Sequence, residues 1–465
     1  MRVSKNSSFE NISLDIGEEK RSPLLFLLLL AGLGFSAFFT GATLIPSVDN
    51  NIGPFEAIVL VLFVILFLYF LRNRLLVQFH FTIAMLFLIV VVAVLSLPNL
   101  SNRIDWGVIQ FALLVYNALL VLILFNLLIQ FPYLIRNLLR FVALGAFVAG
   151  IWVMYEGISL NALIGTGGPF RNRSHVGIYM VTAFWLILLY FYWPGVSKFE
   201  RLAALGVIVV VLYGIAVSGR RSVYLSLFVG LGLLAISFVV LRGTERFKLP
   251  VSVIIAGGIL FLMAQIGPRY VPQLAFFGDR IALIDDRLEL VVGTGDEIED
   301  SDNFILLQRE GMFAAVADHP LLGIGWGAFF ESEYSPTGHE MHSTPQRFLT
   351  ELGIIGFSFY LIYNIYLWVG SARLFWRSRS TQYQLPMLIF MVAIWSLSIS
   401  WVYNRSVTER TYWLLIALFI SVETLINTEL AQQKQPAARR RPRPVNYYPP
   451  PEGRPTRPVM PLSRK

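Results

Sequence analysis

The chain has no cysteine among its 465 residues. Structural disulfides, thiol nucleophiles and thiolate metal ligands are therefore excluded, and cysteine says nothing of the redox compartment. Charge is scarce too: Asp, Glu, Lys and Arg make up 14% of the residues, against 56% hydrophobic. With a mean hydropathy of +0.65, this composition excludes a soluble domain of the same size. There is no Walker loop and no serine on a nucleophile elbow. Gly323-Ile-Gly325-Trp-Gly327 has no strand–helix crossover around it, so it reads as a tight turn after Pro320 rather than a dinucleotide site. No internal repeat is apparent, which weakens a transporter built from inverted halves.

What is present is a series of long uncharged runs. A bilayer core takes about 20 apolar residues per crossing, and twelve candidate spans fall near 23–41, 54–71, 79–97, 107–129, 138–158, 175–193, 201–217, 222–241, 249–266, 352–372, 385–403 and 411–426. The expected fold is all-α: a polytopic membrane protein of about 12 transmembrane helices with one large periplasmic loop containing short helices. Its organisation reads as a cytoplasmic N-terminal segment (1–22), spans one to nine (23–266), the loop (267–351), spans ten to twelve (352–428) and a disordered Pro/Arg-rich tail (429–465). No small-residue cleavage site follows the first run, so it reads as a retained anchor. With the N-terminus in the cytoplasm, 25 of the 37 Lys and Arg residues fall on the cytoplasmic side. Without the tail the excess is 16 against 12, which places both termini in the cytoplasm. The tail suits anionic headgroups or a partner.

The loop differs from the rest. It carries fifteen of the chain's 29 acidic residues and only five of its basic ones. Ile281, Ile284, Leu288 and Val291 form one helical stripe. A second helix is capped by Asp302 or Asn303 and stopped by Pro320, with Ile305, Arg309, Met312 and Val316 on one face. The loop is thus expected to be a small folded cap.

The chain is organised around the join between this loop and span ten, from His339 to Phe357. Ser343 or Thr344 is an N-cap, Pro345 suits the first turn, and Gln346 completes a capping-box spacing with Ser343. His342 then lies just outside a helix N-terminus, whose partial positive charge favours an anion and keeps a nearby imidazole neutral. The plain alternative is a histidine wetted at the interface. In the expected topology every even-numbered span also starts on the outer side, and several starts are basic. Arg171, Arg173 and His175 precede span six, Arg220 and Arg221 span eight, and Arg405 and Arg410 span twelve. Guanidinium groups and helix N-termini together suit a phosphate or diphosphate, although arginines also serve as interfacial anchors. Arg287 and Arg309 have no carboxylate three or four residues away on their helices, whereas Arg347 has Glu351 four residues on and reads as salt-bridged. The spacing of His319, His339 and His342 matches no metal-ligand pattern. Neither a metal nor a cofactor is expected, nor a nucleic-acid partner.

Asp318-His-Pro-Leu-Leu-Gly-Ile-Gly-Trp-Gly327, then His342 and Phe348-Leu-Thr-Glu-Leu-Gly-Ile-Ile-Gly356, resemble the core signature of the O-antigen ligase and polymerase superfamily. Ser218-Gly-Arg220-Arg221-Ser222 resembles its upstream arginine motif, and 168–177 its segment before a middle span. The family often has His-Asn where this chain has His342-Ser343, and its loop arginine is spaced differently from both Arg287 and Arg309. The resemblance implies a metal-independent, inverting glycosyltransferase of the bacterial inner membrane. It would take glycans from undecaprenyl diphosphate to a lipid or glycan acceptor on the periplasmic side. It also implies His342 as catalytic base, and Arg220, with Arg287 or Arg309, as diphosphate ligands; Arg221 and Arg173 join them from the helix starts. Within the family, ligase, repeat-unit polymerase and protein glycosyltransferase stay open. A transporter or flippase of lipid-linked sugars is the reading from a different class.

Overall fold

The computed structural model describes residues 24–40, 53–99, 104–159, 169–170, 173–218, 220–237, 241, 245–265, 300–335, 338, 341, 343–379, 381–403 and 409–433. Among the described residues there are thirteen α-helices and no strand. In chain order they are α1 (Leu24–Ser36), α2 (Pro54–Arg72), α3 (Phe81–Ser96), α4 (Ile104–Gln130), α5 (Leu134–Ser159), α6 (Arg173–Phe191), α7 (Lys198–Ser218), α8 (Arg221–Ile236) and α9 (Glu245–Gln265). After a break come α10 (Asp300–Asp318), α11 (Thr344–Arg377), α12 (Gln384–Tyr403) and α13 (Arg410–Gln433). Each expected span falls on one of these helices, and α10 belongs to the loop. Seven helices (α2, α3, α4, α5, α7, α11 and α13) are long and apolar enough to cross a membrane; α1, α6, α8, α9 and α12 are apolar but shorter. Helix α13 runs on to Gln433, into the stretch expected to be tail.

Burial sorts the helices into layers. On α6 every residue from Val176 to Tyr190 is buried, and so is every residue from Glu409 to Glu423 at the start of α13. These two helices, apolar on all sides, form the centre. Helix α2, by contrast, turns Leu60, Val64, Phe67 and Leu68 outward, a surface suited to lipid. Lipid tails are as apolar as leucine, so contacts between helices depend on close packing. Gly230 of α8 is an example: a Cβ there would run into the Trp185 ring of α6.

The described part of the loop is a folded cap, as its sequence pattern implies. Met312 and Ala315 of α10 share a small buried core with Ile324, Phe329 and Met341. Helix α10 ends just before Pro320, as expected, and begins at Asp300 rather than at Asp302. The expected placement of Arg309 on the apolar face is corrected: Arg309 is exposed. The buried stripe runs through Gln308, Gly311, Met312 and Ala315, and at about 100° per residue Arg309 lies roughly a quarter turn away. The first expected loop helix, with Ile281 and Val291, falls outside the described residues.

Candidate functional site

Helix α11 starts where the sequence places it, with Ser343 at the N-cap and Pro345 in the first turn. The capping-box contact is absent, since the Ser343 side chain makes no cap hydrogen bond. The helix is also broken: Gly353 has φ 63° and ψ −167°, a conformation open essentially to glycine alone. A broken helix leaves backbone donors and acceptors without partners, and the turn after Pro320 supplies them. Ile324 N–H donates to Thr350 O and Gly325 N–H to Glu351 O, each at 3.1 Å. In return Ile354 N–H donates to Pro320 O at 2.8 Å and Ile355 N–H to Leu321 O at 3.3 Å. Gly323 (φ 68°) and Gly353 allow this approach, because a Cβ on either would clash with the opposite backbone. The glycines read as a tight turn therefore dock into the break of α11.

This junction encloses Arg347, which is 2% exposed. Its Nε donates to Glu351 Oε2 at 2.8 Å, the pairing expected from their spacing, and Nη2 donates to Gln110 Oε1 of α4 at 3.2 Å. The guanidinium also lies 4.4 Å from the Trp326 ring centre, a cation–π contact in a dry setting. Glu351 Oε2 in turn accepts the Gly327 N–H at 2.8 Å, tying the turn to the half-helix. Arg347 Nη1 is buried with no protein partner.

A second polar cluster forms where α2, α6, α8 and α13 begin. Arg410 Nη2 pairs with Glu56 Oε1 of α2 at 2.5 Å, and its guanidinium lies 5.2 Å from the Phe55 ring centre. The Arg410 N–H donates to the Tyr179 hydroxyl of α6 at 3.4 Å. Tyr179 is also 6.2 Å, ring to ring, from His175. Arg220, the N-cap of α8, lies within electrostatic reach of Glu409. Burial pushes the Glu409 carboxyl up to about 8, against the opposing pull of Arg220. Tyr116 of α4 sits edge-on to Phe55 at 6.5 Å, within reach of Glu56, Arg410 and Tyr179.

This cluster contains unsatisfied chemistry. Tyr116 Oη, Glu409 Oε1, Arg410 Nη1 and Thr411 Oγ1 are all buried without a protein hydrogen-bond partner. Buried polar groups are nearly always paired, so four such atoms around one helix start call for a polar ligand or ordered water. Gln110, which holds Arg347, and Tyr116 are six residues apart on α4, about 9 Å of helix rise. The two clusters therefore lie at the same end of the bundle.

No protein-family model matches the chain, and no curated protein matches it. The site thus rests on geometry. Of the residues singled out in the sequence, Arg220, Arg410 and His175 are in the cluster. Arg173 and Arg221 are the first residues of α6 and α8, placed by backbone only. Arg309 is on the exposed side of α10. His342 and Arg287 lie outside the described residues; Ser343, next to His342, caps α11 at the end where Arg347 is buried. Sequence reasoning counted Arg410 among the basic groups at helix starts that suit a phosphate, without naming it as a diphosphate ligand, and passed over Glu56 and Glu409. The one available signal was a Glu-Arg pair immediately before a long apolar run. Among the described residues no three His, Asp or Glu side chains are grouped to hold a metal.

The opposite end of the bundle has its own polar groups. His80 Nε2 of α3's N-cap lies 3.4 Å from Glu423 Oε2, and the Tyr366 hydroxyl donates to Glu423 Oε1 at 3.4 Å. Glu200 at the start of α7 accepts from Arg136, Arg140, Tyr190 and the Ser197 N–H, a fully partnered carboxylate.

Proposed function

We propose that the chain is a glycosyltransferase of the O-antigen ligase kind, moving a glycan from undecaprenyl diphosphate to an acceptor hydroxyl. The reaction would take place at the periplasmic face of a bacterial inner membrane crossed twelve times, with both termini in the cytoplasm. The observation that carries this reading is the meeting of four helix starts around Arg220, Arg410 and buried polar atoms without partners. Helix N-termini and guanidinium groups together favour an anion. The leaving diphosphate is the anion this chemistry suits, and charge stabilisation of that kind is usually the largest catalytic term.

In this reading the acceptor hydroxyl attacks the anomeric carbon directly, so the configuration inverts. His342, adjacent to the α11 cap, takes the hydroxyl proton, a general-base contribution of about 10²–10⁴ in rate. The interlocked turn and half-helix, fastened by Arg347, Glu351 and Gln110, fix the start of α11, which His342 precedes in the sequence by two residues. The acceptor is lipid A core or a growing polysaccharide, the second making the chain a repeat-unit polymerase.

The test uses purified full-length protein, a lipid-diphosphate glycan and an acceptor. Wild type forms a new glycosidic bond and His342→Ala does not; equal turnover by both removes the base. A transporter of lipid-linked sugars is the second reading, favoured by the largely enclosed His80–Glu423 pair at the opposite end of the bundle. Movement of the lipid-linked glycan across protein-containing vesicles, with no bond formed, would support it instead.

A further inference from the structure

His80 holds a position that helices usually give to Ser, Thr, Asn or Asp. It is the N-cap of α3, and its Nδ1 accepts the Thr82 N–H at 3.2 Å. A backbone N–H only donates, so Nδ1 carries no proton, and in the neutral ring the proton sits on Nε2. Two groups from other helices face that nitrogen. The Tyr366 hydroxyl of α11 lies 3.4 Å from Nε2, and Glu423 Oε2 of α13 lies at the same distance. The Tyr366 hydroxyl donates onward to Glu423 Oε1 at 3.4 Å, whereas Glu423 Oε2 is buried and accepts no hydrogen bond as the ring stands. Helix α4 supplies the Phe125 ring, 5.7 Å from the imidazole, and Asn126, which makes two hydrogen bonds to the Gln78 backbone and pins the segment before α3. Neither of these side chains titrates. Arg373 and Arg377 of α11 act electrostatically on Tyr366. The His80 and Glu423 side chains are each 11% exposed, so the pair is largely enclosed.

Two demands therefore fall on one ring. As a neutral base it caps α3. A proton added at Nδ1 sets donor against donor, and the bond to the Thr82 N–H cannot survive it. The same proton makes the ring a cation beside a carboxylate oxygen that has no other hydrogen-bond donor. We propose that His80 is a pH-sensitive N-cap: the neutral ring holds the first turn of α3, and protonation releases the Thr82 N–H and commits the ring to Glu423. One proton passes from solvent onto Nδ1, and what is lost is the hydrogen bond to Thr82. The released turn belongs to a helix packed against α4 and α11, the two helices that carry Gln110 and Arg347. The device is the same whether the chain transfers a lipid-linked glycan or transports it.

The experiment follows full-length protein in detergent, labelled with nitrogen-15 at histidine, between about pH 8 and pH 5, where imidazole is the side chain that ordinarily titrates. The chain has five histidines, and His80→Asn identifies the His80 signals by their loss. At the upper end of the range Nδ1 should show the shift of an unprotonated nitrogen and Nε2 that of a protonated one; at the lower end both should be protonated. Amide hydrogen exchange over residues 81–85, corrected for its intrinsic pH dependence, should lose protection by about fivefold across the same step, the equivalent of one cap. His80→Asn keeps a cap acceptor that does not titrate, so its protection should stay flat. Glu423→Gln removes the carboxylate that favours the cation and should move the step to lower pH. If that variant fails to fold, wild type and His80→Asn still decide the matter. A protonated Nδ1 at the upper end, wild-type protection that does not change with pH, or the same loss in His80→Asn would each overturn the switch. An unmoved step in folded Glu423→Gln would overturn the part given to the carboxylate.

Discussion

Two glutamates at helix starts, one at each end of the bundle, show opposite solutions to burying a carboxylate. Glu200 closes a capping box with Ser197, its Oε2 accepting the Ser197 N–H at 2.8 Å while the Ser197 Oγ accepts the Glu200 N–H at 3.2 Å. It also accepts from Arg136, Arg140 and Tyr190. Every demand is met within the chain, so its role is to fasten α5, α6 and α7 together. Glu409 is the residue immediately before α13, where Glu200 is the third residue of α7, and it is far more buried, with one oxygen unpaired beside another unpaired atom on Arg410. A partnered carboxylate explains itself as structure. An unpartnered one, held where helix N-termini gather, points outward to a ligand.

Arg347–Glu351 is the intermediate case, and breaking it should have the largest effect. Glu351→Gln leaves a buried guanidinium without its countercharge, at a cost of about 3–5 kcal/mol. The expected result is loss of folded protein from membranes, read by fluorescence-detected size exclusion; an unchanged profile would mean the junction is not what holds the half-helix.

At the α13 cluster, Arg220→Ala should lower glycan transfer by about 10²–10³-fold. Folded yield should stay near wild type, because Arg220 is only partly buried. If activity and yield fell together, Arg220 would belong with Glu200 as a fastener.

Glu200→Gln should do the reverse. Losing charge-assisted hydrogen bonds removes about 1–2 kcal/mol of stability, lowering the unfolding midpoint in detergent, while transfer per folded molecule is unaltered.

The remaining effect concerns pH. The folded Glu409 carboxyl lies at about 8, above its ordinary 4.5. A raised carboxyl binds its proton more tightly in the folded chain. Its contribution to stability is therefore complete below about 4.5 and is lost as pH rises through about 8. Glu409→Gln should thus unfold at a relatively higher temperature than wild type at pH 8.5 and show no such gain at pH 5. Equal pH dependence of the two midpoints would place Glu409 in contact with water.

Much of this was legible before any coordinates. Ser343 as a cap, Pro345 in the first turn and the Arg347–Glu351 pair are local, each spanning four residues or fewer, and the backbone geometry of a helix enforces them. The expectation that basic residues gather at the starts of even-numbered spans anticipated Arg220 and Arg410. It missed Glu56 and Glu409, because a carboxylate before an apolar run carries no mark of what it will face. Arg309 went the other way: its spacing suited the apolar stripe, but the stripe actually buried passes through Gln308 and Met312.

The amino-acid order by itself determined the helices, their apolar lengths and the turn of three glycines, since these follow from periodicity, hydropathy and backbone freedom over short distances. Only the tertiary structure decided that the turn fills the break at Gly353, and that Glu56 and Arg410 meet across more than three hundred residues of chain. Burial and charge pairing arise from packing between distant segments, and short-range pattern does not encode which distant segment arrives.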